Sequence, residues 1–387
     1  MSRERRRTRQ RTSTRPSRAG ERHEVVADAV AHGGHVVARL AAVEERGTSV
    51  SKPGVVVFVR HALPGERVVV EITEGREGDR FLRGDAVEVL EASPHRVPAP
   101  CPYAGPGACG GCDFQHVEPA HQRDLKTAVV REQLSRLAGL EVDVEVEPVE
   151  PVLGWRSRMQ YVDLPGGARG LRKHRSHEVV AVERCLIDAG LPPTSVEQVR
   201  GRTFGVDPDG FWQPHVSAPE VLVEALLEAL RPQPGESVVD LYSGVGLFAA
   251  FLADAVGPDA EVEAVEGDRR AAAHAADNLG RESVAADVQE WLESEVVPDH
   301  ADLVVLDPPR TGAKRRVVEG IVRLSPRAVG YVACDPSALA RDVAIFAEHG
   351  YALSGVRAFD LFPMTHHEEC VALLEKTGSD LRRSDAR

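Results

Sequence analysis

The chain has 387 residues, six cysteines and a formal net charge of −13. That length allows two or three domains with sizeable cores, and the absence of any apolar run of about 18 residues excludes a transmembrane helix. The acidic balance excludes a generic nucleic-acid binder, whose surface is basic.

The N-terminus lacks the apolar core of a signal peptide, so the expected compartment is the cytoplasm, where thiols stay reduced, and no membrane partner is expected. Residues 1–20, "MSRERRRTRQRTSTRPSRAG", hold eight arginines and one glutamate. Such a stretch cannot form a core and reads, over 1–22, as a disordered arm, either a solvated tail without a partner or an arm attracted to RNA. Residues 23–92 read as short β-branched strands, "VVVFVR" (55–60), "ERVVVEIT" (66–73) and "GDAVEVLEA" (84–92), punctuated by glycine and proline. Five or so such strands predict a small OB-like barrel.

Residues 93–205 form a second region. It opens on "CPYAGPGACGGC" (101–112), which carries Cys101, Cys109 and Cys112. In a reducing compartment a disulfide knot is disfavoured and metal binding is the leading reading. An amphipathic helix is predicted over 121–139, with Leu125, Val129, Leu134 and Leu137 as its apolar stripe and Gly139 as its C-cap. "GWRSRMQYVDL" (154–164) reads as strand, and "RGLRKHR" (169–175) is a local basic patch.

From 206 to 387 helix and strand alternate. Ser217 and Glu220 are spaced as a capping box before "VLVEALLEAL", with Pro219 in the first turn. "SVVDLYSGVGLFAAFLADAVG" (237–257) reads as strand, glycine turn and helix, and "ADLVVLDPPR" (301–310) and "AVGYVACDPSALARDVAIFAEHG" (328–350) are further strand-to-helix units. No helix-length gap separates the last two strands, "YALSGVRAFDLF" and "EECVALLE", so they are expected to pair antiparallel. The fold class is α/β, a doubly wound sheet with an antiparallel edge.

Three motifs carry chemistry. Gly244 and Gly246 let a ligand approach a helix N-terminus, and Glu266, about twenty positions on, suits ribose hydroxyls. That pattern fits NAD and S-adenosylmethionine equally. In "LDPPR", Asp307 stands at the carboxyl end of a strand, where ligands bind in such sheets. Arg310 follows the prolines where enzymes that methylate base amino groups tend to place an aromatic residue. "YVACDPSALARD" sets Cys334 between a strand and a helix capped by Asp335 and opened by Pro336, a position that favours the thiolate. Glu369 in "FPMTHHEECVALL" precedes the last apolar strand, as a base or a strand-edge charge.

From about residue 25 onward the chain resembles the RNA uracil-5-methyltransferase family, through "DLYSGVG", "LDPPR", "YVACDPSALARD" and "FPMTHHEECVALL" in the family's order and spacing. The resemblance implies a class I (Rossmann-like) methyltransferase domain, preceded by an N-terminal TRAM barrel and a small α+β central domain with a 4Fe-4S cluster. It implies action on tRNA or 23S ribosomal RNA, and the chain is separately expected to be a monomer. Carried over by motif, Cys334 is the nucleophile and Glu369, rather than Glu368, the proton-abstracting base. Gln213, Tyr242, Glu266, Asp287 and Asp307 fall where the family contacts S-adenosylmethionine or shapes its pocket. Ser243 and Leu247 depart from a common cysteine and asparagine, and "CDP" replaces the commoner "CNP". The charge of Asp335 would oppose a thiolate that it faced directly. Cys101, Cys109, Cys112 and the distant Cys185 match the family's cluster ligands. Four thiolates satisfy zinc as well as iron and sulfur, and the resemblance favours the latter. Rival readings are cytosine C5 methylation, a non-catalytic RNA-binding protein, and an NAD-dependent dehydrogenase, which leaves "LDPPR" and "ACDP" unexplained.

Overall fold

The computed structural model describes residues 15–41 and 54–377. They form two compact units that divide between Arg96 and Val97.

The first unit is a closed barrel of β1 (Arg22–Ala31), β2 (His35–Arg39), β3 (Val56–Arg60), β4 (Arg67–Glu74) and β5 (Phe81–Glu91), ordered β1-β2-β3-β5-β4. Alternation builds its core: Val68, Val70 and Ile72 of β4 point inward with Val57 and Val59 of β3. Gly84 allows closure, since a Cβ there would lie 2.6 Å from the carbonyl oxygen of Glu71. The unit reaches Arg96 because Arg96 clasps the fully buried Glu66 through two bonds of 2.6 and 2.7 Å. The OB-like expectation is borne out. The disordered arm expected over 1–22 is corrected at its C-terminal end, where residues 15–22 pack on the barrel. Residues 1–14 lie outside the described residues, but Arg15 pairs with Asp79 at 2.5 Å, Ser17 bridges Arg76, and Gly20 donates to the Ile72 carbonyl at 2.8 Å. Barrel edge groups satisfy that backbone.

The second unit begins with helix α1 (Pro119–Ala138), ended by Gly139 in the left-handed region at φ 67°. Leu125, Val129 and Leu134 are buried as predicted, but Leu137 is 40% exposed, because the buried face turns toward Val130 and Gln133 instead. Short strands follow: β6 (Val146–Glu147), β7 (Val162–Asp163), β8 (Arg169–Arg172), β9 (Val179–Ala181), β10 (Val196–Val199) and β11 (Arg202–Gly205). Residues 154–161 are not strand. Trp155, fully buried, donates from its indole to the Pro363 carbonyl at 3.2 Å, and Arg156 makes only isolated bridges.

The alternating region gives α2 (Ala218–Leu230), β12 (Val238–Leu241), α3 (Leu247–Val256), β13 (Val262–Glu266), α4 (Arg269–Leu279), β14 (Val284–Ala285), α5 (Val288–Leu292), β15 (Leu303–Leu306), α6 (Lys314–Arg323), β16 (Ala328–Ala333), α7 (Pro336–Glu348), β17 (Tyr351–Phe359) and β18 (Glu369–Lys376). Eight strands pair in the order β14-β13-β12-β15-β16-β18-β17-β6. β12, β15 and β16 are buried at every position, as a sheet covered on both faces requires. The α/β expectation is borne out, and β17 and β18 pair antiparallel. The antiparallel strand β18 nevertheless lies inside the sheet, between β16 and β17, and β6 takes the edge. The capping box does not form: the Ser217 hydroxyl donates to the Glu150 carbonyl at 2.8 Å, and α2 begins without a side-chain cap.

Residues 97–205 and 206–377 share one compact unit. β6 extends the large sheet, and Val130 and Leu134 of α1 pack with Leu339, Val343 and Phe346 of α7. Between them lies a buried ion pair, Lys126 Nζ to Asp360 Oδ1 at 2.5 Å, with Lys126 also donating to the Phe362 carbonyl. Losing one partner would leave an uncompensated buried charge, so the pair commits α1 to the turn before β18. Among the described residues no helix is long and apolar enough to cross a membrane.

Candidate active site

At the carboxyl ends of β12, β13, β15 and β16 a cavity of about 550 Å³ opens. Its floor is the turn between β12 and α3. Tyr242 sits there at φ 59° and Gly244 at φ 55°, and the Gly244 amide donates to Glu266 Oε2 at 2.9 Å. Glu266 Oε1 accepts from the Asp268 amide at 2.7 Å, so the carboxylate is fixed at the end of β13. Gly246 (φ 83°) faces away from the cavity. A Cβ there would lie 3.2 Å from Ala275 and Leu279, so this glycine serves the packing of α3 on α4. Buried Asp240 braces the turn from below by accepting from the Ala249 amide at 2.9 Å. Gln213 donates to Asp307 Oδ2 at 3.1 Å across the cavity.

Gln213, Tyr242, Gly244, Glu266 and Asp307 all line this cavity, together with Cys334 and Glu369. Asp287 does not: it caps α5, accepting from the Gln289 and Glu290 amides at 2.9 and 3.0 Å. It stands close enough to Tyr242 for its charge, after burial, to help push that phenol up to about 12. Glu369, the first residue of β18, lines the cavity, and Glu368, just before the strand, does not.

The electrostatics differ from the expectation for Cys334. Burial, then Glu369 and Asp307, push the thiol up to about 12, and Arg310 works against them. The helix N-terminus alone would favour the thiolate, but burial, joined by the two carboxyl groups that share the cavity, outweighs it. Asp335 contributes little. Its carboxylate is engaged by the Ala338 amide at 2.9 Å and the Ser337 hydroxyl at 2.6 Å, capping α7 as predicted. Burial and the charges of Asp307 and Glu368 hold Glu369 well above the usual carboxylate range, with Arg310 opposing. Its Oε1 is buried and makes no hydrogen bond among the described residues. A carboxyl group poised in this way can exchange a proton with a ligand in the cavity.

Sequence reasoning missed two side chains here. Arg310, which the sequence marks only as a non-aromatic residue after the prolines, lines the cavity and is the cation that acts on Cys334 and Glu369. His367 accepts from it, Nη2 to Nε2 at 3.2 Å. The histidine pair in "THHEE" was the available signal.

Cys101, Cys109, Cys112 and Cys185 line a second cavity of about 390 Å³. The first three come from one loop, and β8 and β9 carry the chain back to bring in Cys185. Gly110 makes the approach possible, since a Cβ would lie 2.3 Å from the His174 amide nitrogen. The Gly111 amide donates to Cys109 Sγ and the Gln115 side chain to Cys112 Sγ, each at 3.4 Å. Burial pushes the thiols of Cys109 and Cys185 up and that of Cys112 up to about 12. The lining adds Arg156, Arg172, Lys173, Arg175 and Arg184 and no carboxylate. Among the described residues no group of three His, Cys, Asp or Glu side chains is arranged to hold a metal ion.

Three family models match the chain: the TRAM domain over residues 16–87, the methyltransferase small domain over 219–329, and tRNA (uracil-5-)-methyltransferase over 296–377. An uncharacterized RNA methyltransferase of Streptomyces avermitilis is 43% identical over 94% of this chain and 100% of its own. The 23S rRNA (uracil(1939)-C(5))-methyltransferase RlmD of Acinetobacter baumannii is 27% identical over 84% of this chain and 90% of its own. Among solved structures, the tRNA (uracil-54, C5)-methyltransferase of Pyrococcus abyssi shares the fold, with a TM-score of 0.62 at 22% identity over 91% of this chain and 100% of that one. A barrel matched as TRAM, a sheet matched as a methyltransferase and a full-length relative at that identity place the chain in the TRAM-containing RNA (uracil-5-)-methyltransferase family.

Proposed function

We propose that this protein transfers the methyl group of S-adenosylmethionine to carbon 5 of a uridine in 23S ribosomal RNA or tRNA, as a cytoplasmic monomer. The observation that carries the reading is the meeting of Cys334, Glu369 and Asp307 in the cavity whose floor is the glycine turn. Gly244 and Glu266 hold the adenosine end of the donor, and Gln213 and Asp307 shape the space for its reacting end.

Carbon 5 of uracil is a poor nucleophile. The Cys334 thiolate adds to carbon 6, and the electron pair of the 5,6 double bond moves to carbon 5 and the carbon 4 oxygen as an enolate. Carbon 5 then takes the methyl group, leaving S-adenosylhomocysteine. Glu369 removes the remaining proton from carbon 5, the double bond re-forms, and the Cys334 sulfur leaves as thiolate. Both side chains must approach one ring, which fits their presence in one cavity. The target base reaches that depth only when unstacked, at a cost of about a few kcal/mol. RNA contacts from the barrel and from basic residues such as Arg172 and Lys173 offset this cost.

We assign the four cysteines of the second cavity to a 4Fe-4S cluster, which the family resemblance favours over zinc. Besides four thiols they bring N–H donors to sulfur and a cationic rim that balances thiolate charge. Such a cluster would supply structural cohesion here; its metal is not needed for methyl transfer. Protein purified without oxygen is expected to be brown and to hold about four irons per chain. Cys112→Ser is expected to lose the iron and lower the unfolding temperature, while S-adenosylmethionine still binds. Stoichiometric zinc without iron, in fully active protein, would overturn this assignment.

The function itself is tested by incubating the purified protein with labelled S-adenosylmethionine and ribosomal or transfer RNA, then digesting to nucleosides for mass spectrometry. 5-Methyluridine is the expected product. 5-Methylcytidine, or no product, would refute the proposal.

A further inference from the structure

We infer that His367 is a positioning residue for this reaction: its Nε2 holds the Arg310 guanidinium at the cavity where Cys334 and Glu369 meet. The inference rests on the reading of that cavity given above.

Arg310 lies just beyond the carboxyl end of β15, after two prolines, and lines the catalytic cavity. Its side chain is exposed, and an exposed arginine samples many rotamers unless something fixes it. Among the described residues its guanidinium makes one hydrogen bond, Nη2 to His367 Nε2 at 3.2 Å. A guanidinium can only donate, so His367 must present a lone pair at Nε2 and be neutral. Its surroundings favour that state: burial first, then His366 and Arg310, with a smaller push from Lys126, drive its pKa well below the ordinary value against the pull of Asp113.

The ring that receives this bond is itself held. Phe362 meets it edge-on at 5.8 Å, His366 lies 3.9 Å away, and the His367 amide donates to Thr365 Oγ1 at 3.2 Å. His366 is anchored in turn to Asp113 Oδ2 at 2.6 Å. Asp113 directly follows Cys112, and the amides of Asp113 and Phe114 both donate to the Met364 carbonyl at 3.0 Å. Orientation is thereby passed from the thiol-bearing loop, through two imidazole rings, to a cation in the catalytic cavity.

That cation has work to do. Asp307 and Glu369 both oppose a thiolate at Cys334, with a smaller contribution from Asp335, and Asp307 and Glu368 oppose a carboxylate at Glu369. Arg310 is the group that favours the charged form of both. Each pKa unit it supplies is a tenfold change in the reactive fraction at neutral pH. A guanidinium released into solvent is screened and loses most of that effect.

Two amide variants that differ by one methylene test this. The amide oxygen of His367→Gln reaches about where Nε2 stands, and that of His367→Asn stops near Nδ1. The first readout is alkylation of Cys334 by iodoacetamide against pH, followed on its peptide by mass spectrometry. The second is the pH profile of kcat/KM for RNA. His367→Asn is expected to move both curves upward by about one pH unit and to lower kcat/KM at neutral pH by about tenfold, with S-adenosylmethionine affinity and unfolding temperature unchanged. His367→Gln is expected to recover most of the loss. Alkylation curves that coincide in the wild type and His367→Asn, or equal displacement in both variants, would overturn the inference. Wild-type protein that methylates no RNA would count against the proposed function instead, and the alkylation curves would still decide the role of His367.

Discussion

Cys334→Ala is expected to abolish methyl transfer while S-adenosylmethionine binds as in the wild type. The sulfur forms the bond that makes carbon 5 reactive, and the loss of a nucleophile of this kind typically lowers kcat by several orders of magnitude. Binding survives because the donor contacts assigned above come from the β12–α3 turn, Glu266, Gln213 and Asp307. Isothermal titration of the donor beside a single-turnover methylation assay separates the two effects, and turnover near that of the wild type would remove Cys334 from its role. The cavity also sets a pH dependence. Burial and two carboxyl groups hold the thiol at about 12 before substrate binds, so the thiolate fraction at neutral pH is small and grows with alkalinity. Glu369 is likewise held above its usual range, and its reactive ionised form also grows as pH rises. Both shifts have the same sign, so kcat/KM is expected to climb continuously from about pH 6 to pH 9. A profile that falls across that range would contradict the assignment of either group.

Glu369→Gln is expected to block the reaction at a later point and so to give a product that Cys334→Ala cannot. The thiolate can still add and the methyl group can still transfer, but the carbon 5 proton stays in place. The bond between Cys334 and carbon 6 then persists. The variant should accumulate a protein–RNA adduct that survives denaturing electrophoresis, close to one per active site and carrying the label from the methyl donor. Glu368→Gln should release product and show no such band, because Glu368 does not line the cavity. An adduct that builds up in Glu368→Gln and not in Glu369→Gln would exchange the two roles.

The sequence by itself determined what depends on neighbours along the chain. Strand alternation in "ERVVVEIT" carried the barrel, because inward and outward faces follow a period of two whatever else the chain does. The turn at Gly244, the cap by Asp335 on a helix opened by Pro336, and the placing of Cys334 between β16 and α7 are likewise local, written within a few residues. The family motifs added the roles, because order and spacing along the chain are what a motif records.

Tertiary structure decided whatever depends on which distant groups share a burial site. Ser217 caps nothing because the Glu150 carbonyl, 67 residues away, takes its hydroxyl. Residues 154–161 are not strand because a buried niche holds Trp155 beside Pro363. Asp287 had the right position in the chain for the cavity and is engaged instead at the start of α5. The sign of the Cys334 shift could not be read from a helix N-terminus alone, since burial dominates it and the opposing carboxyl groups arrive from β15 and β18. The same holds for Asp113 and His366, 253 positions apart, and for Lys126 and Asp360, 234 apart. Charge and hydrogen bonding act through space with a reach of a few ångströms, so their outcome is set only once folding has chosen the neighbours.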